Sequence, residues 1–165
     1  MADERLDAEW LRDWCGQAAA SVAKLAQSFH AQHGFEPGDS TVVLATQESH
    51  DAADALVELT PIPSDLTTMY WVISEVSFPD LENGCFVHPA SLVADHFREY
   101  GAVQIDGEEP AVVFASDGGG HLFALGDSGR VWKSTTASWF DQFDLAADSL
   151  QEFFEGISRQ INSQL

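Results

Sequence analysis

Asp117 and His121 lie four residues apart across a glycine-rich turn. At that spacing a carboxylate can orient an imidazole for acid–base work, which would make the pair the core of a small hydrolase. The same spacing also serves a hairpin that merely satisfies its own polar groups. Between them, Gly118, Gly119 and Gly120 have the composition of a phosphate loop. Phosphate-binding glycines open a helix whose N-terminus faces the anion. Here an apolar, strand-like run follows and the loop holds no Lys, so the glycines read as a hairpin turn needing positive φ.

The other reactive side chains form no pattern. The six histidines, His30, His33, His50, His88, His96 and His121, contain no HExxH, and Cys15 and Cys85 have no partners at zinc-ligand spacing. His30 and His33 are three apart on a predicted helix, but nothing nominates a third or fourth ligand. Cys85 and His88 are close in sequence, yet a Cys/His pair is defined by geometry. No G-x-S-x-G elbow occurs. Carboxylates are too numerous for any two to stand out. No catalytic residue, metal ligand or cofactor is therefore expected, and the chain reads as a non-enzyme.

Charge is the extreme feature. Seven Lys and Arg against 27 Asp and Glu give a net −20, spread over both halves. Such a surface repels phosphate backbones and anionic lipid, which argues against nucleic-acid and membrane-surface roles. It attracts a basic protein and speeds the encounter. It also serves solubility alone. With 45% hydrophobic residues and five Trp, the chain is too apolar for a disordered acidic tail. At 165 residues it fits one domain spanning 1–165. The acidic start lacks the apolar core of a signal peptide, no run approaches a membrane span, and two isolated cysteines suit a reducing compartment, so a cytoplasmic location is expected.

The elements that would position these residues follow from periodicity. Leu11, Cys15, Ala18, Val22, Leu25 and Phe29 repeat at four- and three-residue steps, widened by Trp10 and Trp14, and predict a long helix from about 7 to 33 stopped by Gly34. Thr41–Thr46 reads as a strand or the lead-in to a helix, followed by a helix from about Thr46 to Glu58. Asp65–Trp71 suggests a helical turn running into a strand over Trp71–Phe78. Asn83-Gly84 is a turn pair, Cys85–His88 a short strand, and Pro89 at N1 opens a helix over Ala90–Tyr100 with Leu92, Val93, His96 and Phe97 inward. Ala111–Ala115, His121–Leu125 and Arg130–Ser134 predict a three-stranded antiparallel meander. Helical spacing returns from Asp144 or Asp148 to about Ile161. The class is α+β. Candidate partner contacts are the acidic turns: Asp80, Glu82 and Asn83; Asp106, Glu108 and Glu109; and Asp117. Gly84, Gly118, Gly119 and Gly120 are turn residues.

The run from Val113 to Leu125 with Gly129-Arg130-Val131-Trp132 resembles the core hairpin of the SUKH superfamily, the fold of fungal cell-wall and killer-toxin-resistance regulators. Pro63-Ser64-Asp65-Leu66 to Tyr70 resembles that family's proline, acidic-leucine, aromatic helix. Asn83-Gly84 resembles its turn, and the helical stretch to Ile157 its closing helix. The similarity covers roughly residues 46–160, and residues 1–60 depart from the usual opening of the family. The resemblance implies an α+β fold without a catalytic site. In bacteria it implies an immunity protein that blocks a toxin by stoichiometric binding; in fungi, a scaffold or signalling adaptor. Charge adds that the toxin would be basic, such as a nuclease. A homo-oligomer stays open.

Overall fold

The structure, a computed structural model, describes residues 6–34, 40–60, 62–79, 81, 84–105, 110–138 and 142–164. The apolar stripe near the start forms α1 (Ala8–His33), which buries Leu11, Trp14, Cys15, Ala18 and Val22. Trp10 and Leu25 are half-buried at its margin. The side chains of Phe29, His30 and His33 lie outside the described residues. Gly34 follows at φ 76°, the left-handed stop that its glycine permits.

Thr41–Leu44 is a strand, β1. Thr46 then caps α2 (Gln47–Leu59): its hydroxyl accepts from Ser49 N at 3.2 Å, while Ser49 Oγ accepts from Thr46 N at 2.7 Å, a reciprocal capping box. α3 (Ser64–Val72) opens after Pro63 and passes without a loop into β2 (Ile73–Phe78). Trp71, expected where the helical turn runs into the strand, lies inside the helix, which continues to Val72. β3 (Cys85–Val87) leads to α4 (Ala90–Tyr100), with Pro89 at the N-cap, one position before the expected N1, and Gly101 closing it at φ 76°. Leu92, expected on the inner side of α4, is 37% exposed, because Ala90, Val93 and Ala94 carry the buried face.

β4 (Ala111–Ser116), β5 (Leu122–Gly126) and β6 (Val131–Ser134) match the predicted meander. A fourth strand, β7 (Phe143–Ala147), extends it, so a helix beginning at Asp144 is wrong; α5 (Leu150–Ser163) begins only after Ser149, whose hydroxyl caps Glu152 N. The seven strands form one sheet in sequence order, each antiparallel to the next. The α+β class holds.

Alternation along the strands gives the sheet two apolar faces. On one, residues of all five helices pack against Ile73, Val76, Phe78, Val112, Phe114 and Leu125. On the other, Val113, Leu122, Ala124 and Phe143 are covered by Val103 and Ile105 from the segment after α4, which bridges to Ala111. A bulge at Phe114, where Val113 opposes Ala124 and Ala115 opposes Phe123, turns an extra aromatic toward the helices. That ring packs edge-on against Phe153 of α5 at 5.4 Å.

Candidate functional site

Of the expected contacts, Asp80, Glu82, Asn83, Asp106, Glu108 and Glu109 lie outside the described residues. The others converge. Gly84, before β3, packs against Gly118, between β4 and β5: a Cβ on Gly84 would stand 3.2 Å from Gly118 N, and Gly84 has φ +84°. Two turns distant in sequence therefore meet at one end of the sheet, and only glycine fits there. Within the triple glycine, Gly120 takes the positive φ, 85°.

Asp117 holds this turn together. Its Oδ1 accepts from Gly119 N and His121 N, each at 2.9 Å. His121 Nδ1 lies 3.2 Å from Oδ2, and Lys133 Nζ of β6 approaches the same oxygen at 3.6 Å. The Asp117 side chain is only 6% exposed. Burial pushes its pKa up, but the two backbone N–H groups, then His121 and Lys133, outweigh it and hold the carboxyl below its ordinary value. Asp117 and His121 are thus adjacent, as their spacing suggested, with the carboxylate committed to the turn. Asp117→Ala strands two N–H groups and an ammonium, and should cost about 2 kcal/mol in a denaturant melt. Asp117→Asn, which keeps one acceptor, should recover roughly half of that. An unchanged midpoint for Asp117→Ala would remove the turn-holding role.

Beside the turn, a cleft of about 220 Å³ runs between the sheet end and α5, lined by Cys85, Asp117, Phe123, Lys133, Phe153 and Arg159 among others. Lys133 Nζ lies 5.5 Å over the Phe123 ring. Burial, reinforced by Asp117 and opposed by Lys133, pushes the Cys85 thiol up to about 12, so it stays protonated and is a poor nucleophile. Burial raises Cys15 to about 11. His88 has different company: Nε2 is 2.8 Å from Ser116 Oγ and the ring sits 5.6 Å from His96. Among the described residues, no group of three His, Cys, Asp or Glu could hold a metal ion, and no helix is long and apolar enough to cross a membrane.

A second surface was missed by reading the turns alone. Leu44 is 56% exposed and Trp71 58%, and Val43 and Val57 are also exposed. Trp71 stacks on His50 of α2, with rings 4.3 Å apart and 9° from parallel, and its carbonyl lies 3.0 Å from His50 Nε2. Val57 follows His50 by seven residues, which puts both on one face of α2. The signal in the sequence was an omission. Lys24 and Arg98 bracket a stretch with no Lys or Arg and eleven Asp and Glu.

No family model matches the chain, and no curated protein sequence matches it.

Proposed function

We propose that this chain is a SUKH-type binding protein that neutralises a basic protein partner, a toxin domain such as a nuclease, by stoichiometric capping inside the cell that makes it. The observation that carries the reading is charge distribution. A net −20 by itself also serves solubility alone. The exposed Leu44, Val57 and Trp71 belong to a 73-residue stretch without one Lys or Arg, which favours positive charge arriving around an apolar centre. The saturated Asp117 carboxylate and the protonated Cys85 thiol favour binding over catalysis.

Co-expression with a basic toxin domain encoded beside this chain should restore growth, and the two should co-purify in equal amounts. Their affinity should fall about tenfold or more between low and physiological salt, mostly through the association rate. An affinity indifferent to salt would overturn the electrostatic part. Rescue by catalytic amounts of the chain would overturn stoichiometric capping.

A further inference from the structure

The two edges of the sheet are not alike. β7 carries Asp144 within the strand, exposed beside Leu145, and a charge in that place discourages further pairing. β1 has no such guard. Its four residues, Thr41-Val42-Val43-Leu44, include no charge and no proline, and three of them are exposed. β2 occupies one side, and no described strand lies on the other. An uncharged, β-branched edge left open is a template for another strand.

Side chains around β1 indicate what such a strand would carry. Val42 packs on the core, so Leu44, two residues on, shares the helix-covered face, and it pairs with Ile73. Trp71 and its stacked His50 stand on elements joined to this corner, for Ala45 N donates to Val72 O at 2.9 Å. Val43 looks to the other face, opposite Glu75. Exposed Glu48, Asp51 and Asp54 on α2 add negative charge. A strand laid along β1 would therefore meet apolar surface on one face and carboxylates nearby, with no Lys or Arg in β1, α2, α3 or β2 to compensate them.

We infer that β1 is a docking edge for an extended segment of a cationic protein in which apolar residues alternate with Lys or Arg, added as an eighth antiparallel or parallel strand. This rests on the reading of the chain as a binder of a basic partner. A second copy of the chain is the less favoured occupant, because edge-to-edge pairing would set one cation-free stretch against another.

The test uses the full chain and a blocked decapeptide of alternating Lys and Val. Its comparators are a Lys–Pro decapeptide, equal in charge but unable to pair, and a Glu–Val decapeptide. The Lys–Val peptide should slow amide exchange at Thr41–Leu44 by about tenfold or more, and neither comparator should. Leu44→Lys, which places a cation on the edge, should weaken Lys–Val binding about tenfold with little change in melting temperature, since that side chain is exposed. Trp71→Ala should weaken binding as much, while loss of its stack on His50 lowers the melting temperature by no more than about 6 °C. Protection that maps elsewhere, or equal binding of Lys–Pro and Lys–Val, would overturn the β1 edge while leaving a cationic partner standing. Failure of every cationic peptide to bind at low salt would overturn both. Edge protection that appears with chain concentration alone would identify a second copy as the occupant and overturn the cationic segment.

Discussion

Phe154→Ala should lower the stability of the fold by about 4 kcal/mol, the largest single loss expected here. Phe154 is fully buried on α5. Its ring meets Trp14 of α1 edge-on at 4.7 Å and Phe153 at 5.5 Å. The Trp14 indole N–H also donates to the Phe154 carbonyl at 2.9 Å, so the ring and the backbone together dock α1 onto α5. Truncation removes the ring's burial and leaves a cavity that two helices cannot close without giving up that hydrogen bond. For a chain of this size the loss amounts to a fall in melting temperature of about 8–16 °C. Phe154→Leu, which keeps much of the volume, should cost no more than about 1.5 kcal/mol. Urea melts of the three proteins decide it; a cost for Ala no greater than that for Leu would mean the helices repack freely.

His88 should make the fold acid-sensitive well above the carboxylate range. Burial, with the nearby His96 second, pushes its pKa down from the ordinary 6.5 to about 4. Its Nδ1 is buried without a hydrogen-bond partner among the described residues, so a ring proton added there finds no acceptor. Tyr70 fixes the residue from below, its hydroxyl donating to the His88 carbonyl at 2.6 Å. Because the folded value lies beneath the unfolded one, the unfolded chain binds the proton first. The contribution is therefore complete above pH 6.5 and is lost as pH falls from there to about 4, by up to about 3 kcal/mol. Asp117 acts lower. Its carboxyl is depressed from 3.8, so its contribution persists above that value and fades only beneath it. Acidification also relieves the repulsion of a −20 surface, which acts in the opposite direction. The readout is consequently the difference between the wild type and His88→Gln, melted from pH 7 to 4.5. The gap between them should change by about 2 kcal/mol or more over that span. Parallel curves would show that His88 takes up its proton in the fold as readily as in the unfolded chain.

Most elements were legible because local rules and tertiary packing agree over most of the chain. The stripe from Leu11 to Val22 is the buried face of α1, and glycine-bearing turns delimit β4, β5 and β6 where their spacing predicted. β7 was illegible for a physical reason. It is an edge strand with three exposed residues between Phe143 and Ala147, so it lacks the alternation of a half-buried strand. Its apolar residues also run on smoothly into the helical spacing of α5. Leu92 was misplaced because helical periodicity says which residues share a face, while small Ala90 and Ala94 took the core-facing side of α4. At the turn, the pairing of Asp117 with His121 was visible from spacing. The approach of Gly84 to Gly118 and the arrival of Lys133 were not, since both depend on strand register. The β1 surface was visible only as missing cations, which no search for reactive side chains would raise.

The order of strands in the sheet also bears on how the molecule comes into being on a ribosome. Each strand pairs with the one synthesised just before it, so the sheet can grow by zipping, four steps closing a short loop and two closing over the helices between β1 and β2 and between β3 and β4. The helical layer has no such freedom. Trp14, made early, has no partner for its indole N–H until Phe154 emerges roughly 140 residues later. A nascent chain would therefore carry a largely paired sheet beneath a first helix still waiting for the fifth, and release of α5 would be the step that commits it.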